Sequence, residues 1–98
     1  MVSIDVRCDG GAAAGWSCAV ELREGGRTVT RHQVAVRADT LGRLDPGATD
    51  PTRLVTASFA FLLEREPPTS ILRGFDLTEI GRYFPEYEAA IRAGLAGS

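Results

Sequence analysis

One histidine and two cysteines are the side chains of this sequence best suited to nucleophilic or acid–base chemistry: His32, Cys8 and Cys18. Any imidazole catalysis must use His32, and strand alternation places it on the same inward face as Cys18, directly opposite in the preferred register. A reactive cysteine needs a partly exposed, electropositive environment that lowers its thiol pKa, and an inward position in a small core is the opposite environment. We therefore predict that His32 is structural, bonded to the backbone or to a neighbouring polar group.

The cysteine count and the glycine spacing match no common cofactor motif. Two cysteines are too few for a disulfide scaffold, and with one histidine they fit no zinc-site spacing, so we expect reduced, buried thiols. The glycine-rich segment 10–15 joins two strands, whereas a phosphate loop precedes a helix. The acids near predicted helix ends, which suit capping and the helix dipole, are Glu64, Glu66, Glu79, Glu86 and Glu88. The sequence thus predicts no catalytic, cofactor-binding or metal-binding residue and no enzyme.

Arginine supplies all eleven basic residues, and several fall on one predicted face of a sheet. Clustered arginines can bind carboxylates or phosphates through paired donors. Acids are interleaved with them here, however, and cross-strand pairs of opposite charge are typical of a solvated face. A polar docking surface is the alternative. The candidate interaction residues, which combine this face with the C-terminal segment, are Arg7, Arg23, Arg31, Arg37, Arg82, Tyr83 and Tyr87.

Length and composition are those of a single globular domain spanning residues 1–98. The chain is 44% apolar and 24% charged, which argues against disorder. Its net charge of −2 argues against nucleic acid as a partner, because that binding needs a basic face. The first residues alternate like a strand and not like a leader, and no apolar run reaches the roughly 18 residues of a membrane span. These features predict a cytoplasmic protein with no membrane partner.

Three segments of the first half alternate between inward and outward residues with the period of a β-strand. The inward-facing sets run through residues 2–8, 16–22 and 30–36, and glycine-containing turns join them. We predict a three-stranded antiparallel meander with one dry face and one wet face.

The second turn of this meander contains a conflict of register. A two-residue Gly25–Gly26 loop would turn the odd-numbered residues of the third strand inward. Val34 and Val36, however, need the even-numbered residues inside. Either the loop has an odd number of residues or a bulge lies between Thr30 and Gln33. We favour the odd loop.

After residue 39 the apolar period becomes helical. Leu41 and Leu44 predict one short helical turn. Asp50 and Pro51 are a good helix start, and over 51–65 the apolar residues cover an arc of roughly 200°. Because a single sheet covers a narrower arc than that, this central helix needs a second covering element.

The C-terminal segment contains four of the seven aromatic residues, Phe75, Tyr83, Phe84 and Tyr87. Asp76 and Glu79 have the spacing of a capping box, and Pro85 interrupts the helix that follows. Tyr87, Ile91 and Leu95 then form one helical stripe. The aromatics either cover the central helix or form a dimer or partner interface, and we favour packing within the chain.

The same segment resembles the tail of a group of small, uncharacterised bacterial proteins that share the pattern R-x-F-D-L-x-x-I-x-x-Y-F-P-E-Y. The matching positions are Arg73, Phe75, Asp76, Leu77, Ile80, Tyr83, Phe84, Pro85, Glu86 and Tyr87. The Thr-x-His-x-Val-x-Val stretch at 30–36 is similar in kind. The resemblance implies an organisation of the chain and no particular activity.

Together these patterns predict an α+β fold, with a three-stranded antiparallel meander followed by a central helix and a C-terminal helical segment. The expected function is a non-enzymatic protein-interaction or accessory module that binds a partner protein or a second copy of itself. The alternative is binding of a small molecule or nucleic acid on the arginine-bearing outer face of the sheet.

Overall fold

The computed structural model describes residues 1–97 and combines one four-stranded sheet with a layer of helices. The strands are β1 (Val2–Gly11), β2 (Gly15–Glu24), β3 (Arg27–Val36) and β4 (Gly74–Asp76). The helices are α1 (Ala38–Leu44), α2 (Thr52–Leu63), α3 (Ile80–Tyr83) and α4 (Tyr87–Ala96), with 3₁₀ turns at Pro68–Ser70 and Leu77–Glu79. The α+β class is as predicted.

The sheet has the order β1-β2-β3-β4, and its first three strands are the predicted antiparallel meander. The fourth strand corrects the prediction, because β4 pairs with β3 in parallel and makes the sheet mixed. A three-residue strand is too short to show alternation, and its partner lies far earlier in the chain. The pattern of a local sequence therefore does not reveal it.

The β2–β3 hairpin also corrects the predicted turn. Its loop has two residues, Gly25 and Gly26, whose φ angles of 61° and 80° are accessible to glycine without steric cost. The odd loop is therefore wrong. A bulge at Val29 restores the inward phase, since Leu22 pairs with Thr30. It lies just before the interval in which the alternative placed it.

The helices cover the dry face of the meander. As predicted, α1 places Leu41 and Leu44 in the core and ends before Asp45. α2 begins at Thr52 with Pro51 as its N-cap residue, one position later than predicted, and the Asp50 Oδ1 accepts a hydrogen bond from the Thr52 amide at 2.9 Å. α2 contacts β1, and α4 packs against α2 and buries Tyr87 completely. The C-terminal segment is therefore the predicted cover of the central helix.

The two cysteines form a disulfide, so the prediction of reduced thiols is wrong. Cys8 and Cys18 are directly opposite each other on β1 and β2. The side chain of Cys18 is buried in the core, as predicted, and Cys8 is only partly buried. The count of cysteines does not reveal this bond, because the bond depends on strand register and not on sequence spacing.

Candidate functional site

The outer face of the sheet carries paired charges, as expected of a solvated face. Three of the predicted interaction residues lie near a carboxylate. The pairs are Arg23 with Asp5 at 3.7 Å, Arg31 with Glu21 at 3.8 Å, and Arg37 with Asp76 at 3.5 Å. Exposed pairs of this kind contribute little to stability, but each one occupies an arginine that the docking alternative requires to be free. Arg7 differs from them, since its side chain has no partner among residues 1–97.

Tyr87 was predicted as an interaction residue but is buried in the structure. Its side chain is fully buried, and its hydroxyl oxygen lies 2.6 Å from that of Ser58 on α2. Burial raises the pKa of Tyr87 to about 12. Tyr87 is therefore a core residue, and its prediction as an interaction residue is wrong.

Tyr83, four residues earlier, lies on the surface as an interaction residue should. Its side chain remains 67% exposed on the short helix α3. Arg82 precedes it, is exposed, and has no ion-pair or hydrogen-bond partner within the described chain. The structure thus keeps Arg82 and Tyr83 together on α3, while the other candidate arginines lie on or directly beside the meander.

An apolar groove beside Tyr83 was not predicted from the sequence. It has a volume of about 400 Å³ and lies between the end of α2, the 3₁₀ turn at Pro68–Ser70 and α3. Its apolar lining residues are Leu62, Ile71, Leu72, Phe75, Ile80, Tyr83 and Phe84. Leu72 is 48% exposed, so it leaves a second large side chain in water beside Tyr83. We call this feature the apolar groove.

Local sequence signals build the groove. Pro67 and Pro68 end α2 and begin the 3₁₀ turn, which directs the chain toward β4. The predicted capping box then starts the next helical segment: the Asp76 carboxylate accepts from the Thr78 amide at 3.0 Å, and the Glu79 carboxylate accepts from the Asp76 amide at 2.9 Å. The groove lies between these two signals, both of which are visible in the sequence.

Two carboxylates lie at the apolar groove and differ in what they bind. Glu79 is used by the capping box. Glu66 has no side-chain partner among residues 1–97. A carboxylate without a partner can accept charge-assisted hydrogen bonds from a cationic group. Glu66 therefore gives the apolar groove a preference for positive charge.

His32 has the bonding partners predicted for a structural histidine. Its Nδ1 lies 2.7 Å from the carbonyl oxygen of Leu72, and its Nε2 lies 2.8 Å from the Thr30 hydroxyl. A carbonyl oxygen only accepts, so Nδ1 carries the proton and Nε2 of the neutral ring accepts from Thr30. Burial lowers the pKa of His32, against the opposing effect of the Leu72 carbonyl, and the nearby Arg73 lowers it further.

The structure excludes the Cys–His nucleophile considered from the sequence. His32 is opposite Val20, whereas Cys18 is opposite Val34, so the predicted pairing of His32 with Cys18 is wrong. The sulfur of Cys18 is bonded to Cys8, and both nitrogens of His32 are engaged. Neither group is available to attack a substrate in this state.

Residues 1–97 contain no group of three or more histidine, cysteine, aspartate or glutamate side chains able to hold a metal ion. No helix in that part of the chain is long and apolar enough to cross a bilayer. No family model matches the sequence, and neither a curated protein nor a solved structure shows significant similarity to it.

Proposed function

We propose that this chain is a non-enzymatic protein-interaction module, and that the apolar groove binds a segment of a partner protein. The observation that supports this most directly is the exposure of Tyr83 and Leu72 beside the groove. Large apolar side chains left in water next to a concave apolar surface are typical of protein-binding sites. Tyrosine is also enriched among residues that dominate binding energy.

The chemistry of the groove indicates what the partner segment contains. Its walls accept one large apolar side chain, and the free carboxylate of Glu66 favours an arginine or lysine close to that side chain. Phe84 is held in the wall by an edge-on contact with Phe61, at 5.8 Å between ring centroids. The groove is thus largely preformed, which reduces the entropic cost of binding.

The arginine-bearing outer face supports the alternative function less well. Arg23, Arg31 and Arg37 are each within 4 Å of a carboxylate. A phosphate ligand would have to displace those acids, and the net charge of −2 opposes its approach. A protein partner therefore remains the proposal, and a second copy of the chain is one form of it. The cytoplasmic location stays a prediction.

A peptide-display library tests the proposal. We expect selected peptides to combine a large apolar residue with a nearby basic one. Tyr83→Ala should raise their Kd at least about tenfold, the scale of a binding hot spot. Glu66→Gln should selectively weaken the peptides that carry a basic residue. Arg92→Ala, an exposed change on α4 outside the groove, is the control and should bind like the wild type. Selected peptides that bind Tyr83→Ala equally well would refute the groove as the site.

A further inference from the structure

The outer edge of β1 is a long strand edge without a pairing partner. β1 has ten residues, stands at the end of the sheet order, and receives no backbone hydrogen bond from outside the sheet within the described chain. Natural edge strands are usually protected by shortness, proline, a bulge, an inward-pointing charge or other charged side chains. β1 pairs with β2 without a register shift, and its inward residues Ile4 and Val6 are apolar and only partly buried. Of these devices β1 has only charged side chains, Asp5, Arg7 and Asp9, and they lie on its outer face.

Two independent observations show which backbone groups point out of this edge. The Cα atoms of Cys8 and Cys18 are 4.0 Å apart, the close spacing of a pair that does not exchange backbone hydrogen bonds. On the far side of the sheet, the Gln33 amide donates to Arg73 in the segment leading into β4, at 2.7 Å. The backbone N–H and C=O of Gln33 therefore point away from β2. The backbone groups of Ala19, the residue opposite Gln33 on β2, must then point to β1, where Ala19 pairs with Arg7.

Both observations give the same assignment of β1 residues to its paired edge and its free edge. The odd-numbered residues of β1 bond to β2, and the even-numbered residues direct their N–H and C=O groups to the free edge. The centre of the free edge is Val6. A second strand that pairs here must bond to Ile4, Val6 and Cys8.

We propose that β1 pairs in antiparallel fashion with β1 of a second copy of this chain, with the twofold axis at Val6. In this register Val6 faces its own copy across a hydrogen-bonded pair, and Asp5 of each chain faces Arg7 of the other. The symmetry produces two such ion pairs on the outer face, at close-spaced positions where cross-strand charges interact best. The two sheets join into one sheet of eight strands.

The charge pattern selects this register over its neighbours. Moving the axis to Asp5 places two aspartates opposite each other, and moving it to Arg7 does the same with two arginines, which are unfavourable arrangements. Arg7 has no partner within residues 1–97, so it is available for the second chain. Asp5 pairs with Arg23 at 3.7 Å, and its side chain is 70% exposed. The dimer supplies Arg7 with its missing partner.

This dimer is one form of the proposed interaction function, but it does not use the apolar groove. Each of the two proposals can therefore be refuted without refuting the other. A monomeric protein that binds the selected peptides would overturn only the dimer, and a dimer that binds no peptide would overturn only the groove.

Sedimentation equilibrium of purified full-length chains tests the dimer. We expect the wild type to dimerise, and Asp5→Arg and Arg7→Asp each to raise the dissociation constant at least about tenfold, since each creates two like-charge pairs. An equimolar mixture of the two variants should dimerise again, because the two arginines of one chain then face the two aspartates of the other. Arg92→Asp has the same charge change as Arg7→Asp on α4 and should dimerise like the wild type.

A second variant keeps the test decisive if a charge reversal disturbs folding. Val6→Pro removes the central outward N–H and no bond to β2, and proline is tolerated where the strand N–H faces solvent. A folded Val6→Pro protein should be monomeric. A wild type that is monomeric at every concentration, charge variants that dimerise unchanged, or a mixture that fails to recover would each overturn the proposal.

Discussion

The phenol oxygen of Tyr87 lies 2.6 Å from the hydroxyl oxygen of Ser58, and a neighbouring contact fixes the direction of the hydrogen bond. Ser58 lies 2.8 Å from the carbonyl oxygen of Leu54, which can only accept, so Ser58 donates its single proton there. Tyr87 must therefore donate to Ser58. This chain of two hydrogen bonds joins α4 to α2 inside the core.

The direction of that bond predicts an asymmetry between two substitutions. Ser58→Ala leaves the buried Tyr87 hydroxyl without an acceptor and should cost about 1–3 kcal/mol of unfolding free energy. Tyr87→Phe leaves Ser58 bonded to Leu54 and should cost only about 0.5–1.5 kcal/mol. Denaturant unfolding of both variants and of the double variant measures the difference. A larger loss in Tyr87→Phe than in Ser58→Ala would contradict this assignment of the donor.

The titration of Tyr87 should limit stability at alkaline pH. Burial raises its pKa from 10.0 to about 12, so the folded state favours the neutral phenol. The corresponding stability is complete below about pH 10 and is lost as the pH rises through the folded pKa. Phenolate absorbance in a Tyr83→Phe variant isolates Tyr87. A midpoint near 10 in the native protein would contradict its burial.

His32 should make the protein less stable in mild acid. Its pKa is lowered below 6.5 in the folded state, mainly by burial, so the unfolded chain binds the proton more readily. The stability from neutral His32 is complete above about pH 6.5 and decreases as the pH falls toward the folded pKa. We expect the wild type to lose more unfolding free energy than His32→Gln between about pH 7 and 5.5. Equal losses would show that another group titrates in this interval.

The disulfide predicts how many reactive thiols the denatured protein has and how much stability is lost when both cysteines are replaced. Denatured wild-type protein without reductant should show no reactive thiol, because Cys8 and Cys18 are bonded to each other. The Cys8→Ala/Cys18→Ala variant should lose about 2–4 kcal/mol, since the crosslink restricts the unfolded chain. Two titratable thiols in the denatured wild type would restore the original expectation of reduced cysteines.

Local patterns predicted the elements whose signals lie within a few residues. Alternation placed Val34 and Val36 inward, and the Asp76–Glu79 spacing predicted the capping box. Helical periodicity placed Tyr87 on the buried stripe with Ile91 and Leu95. Each of these features depends on a repeat or a spacing that can be read directly from the sequence.

The features that were missed depend on contacts between distant parts of the chain. β4 is defined by its pairing with β3, and the disulfide by the register that brings Cys8 opposite Cys18. The bulge at Val29 resolves a conflict that was recognised, but its position depends on the loop that the two glycines allow. At the candidate site, the stripe with Ile91 and Leu95 indicated burial of Tyr87, yet Tyr87 was also predicted as an interaction residue beside Tyr83. The packing of α4 against α2 is what separates buried Tyr87 from exposed Tyr83.

The contact between His32 and Leu72 has a consequence for how the protein is made. The two residues are 40 positions apart, and Leu72 lies just before β4, which pairs with β3. At a synthesis rate of about 5–20 residues per second, several seconds pass between the synthesis of β3 and that of β4, and a longer time passes before Tyr87 is added. During that interval its apolar face and both edges are exposed to other nascent chains. The early hairpins are therefore the stage at which a chaperone would protect this protein.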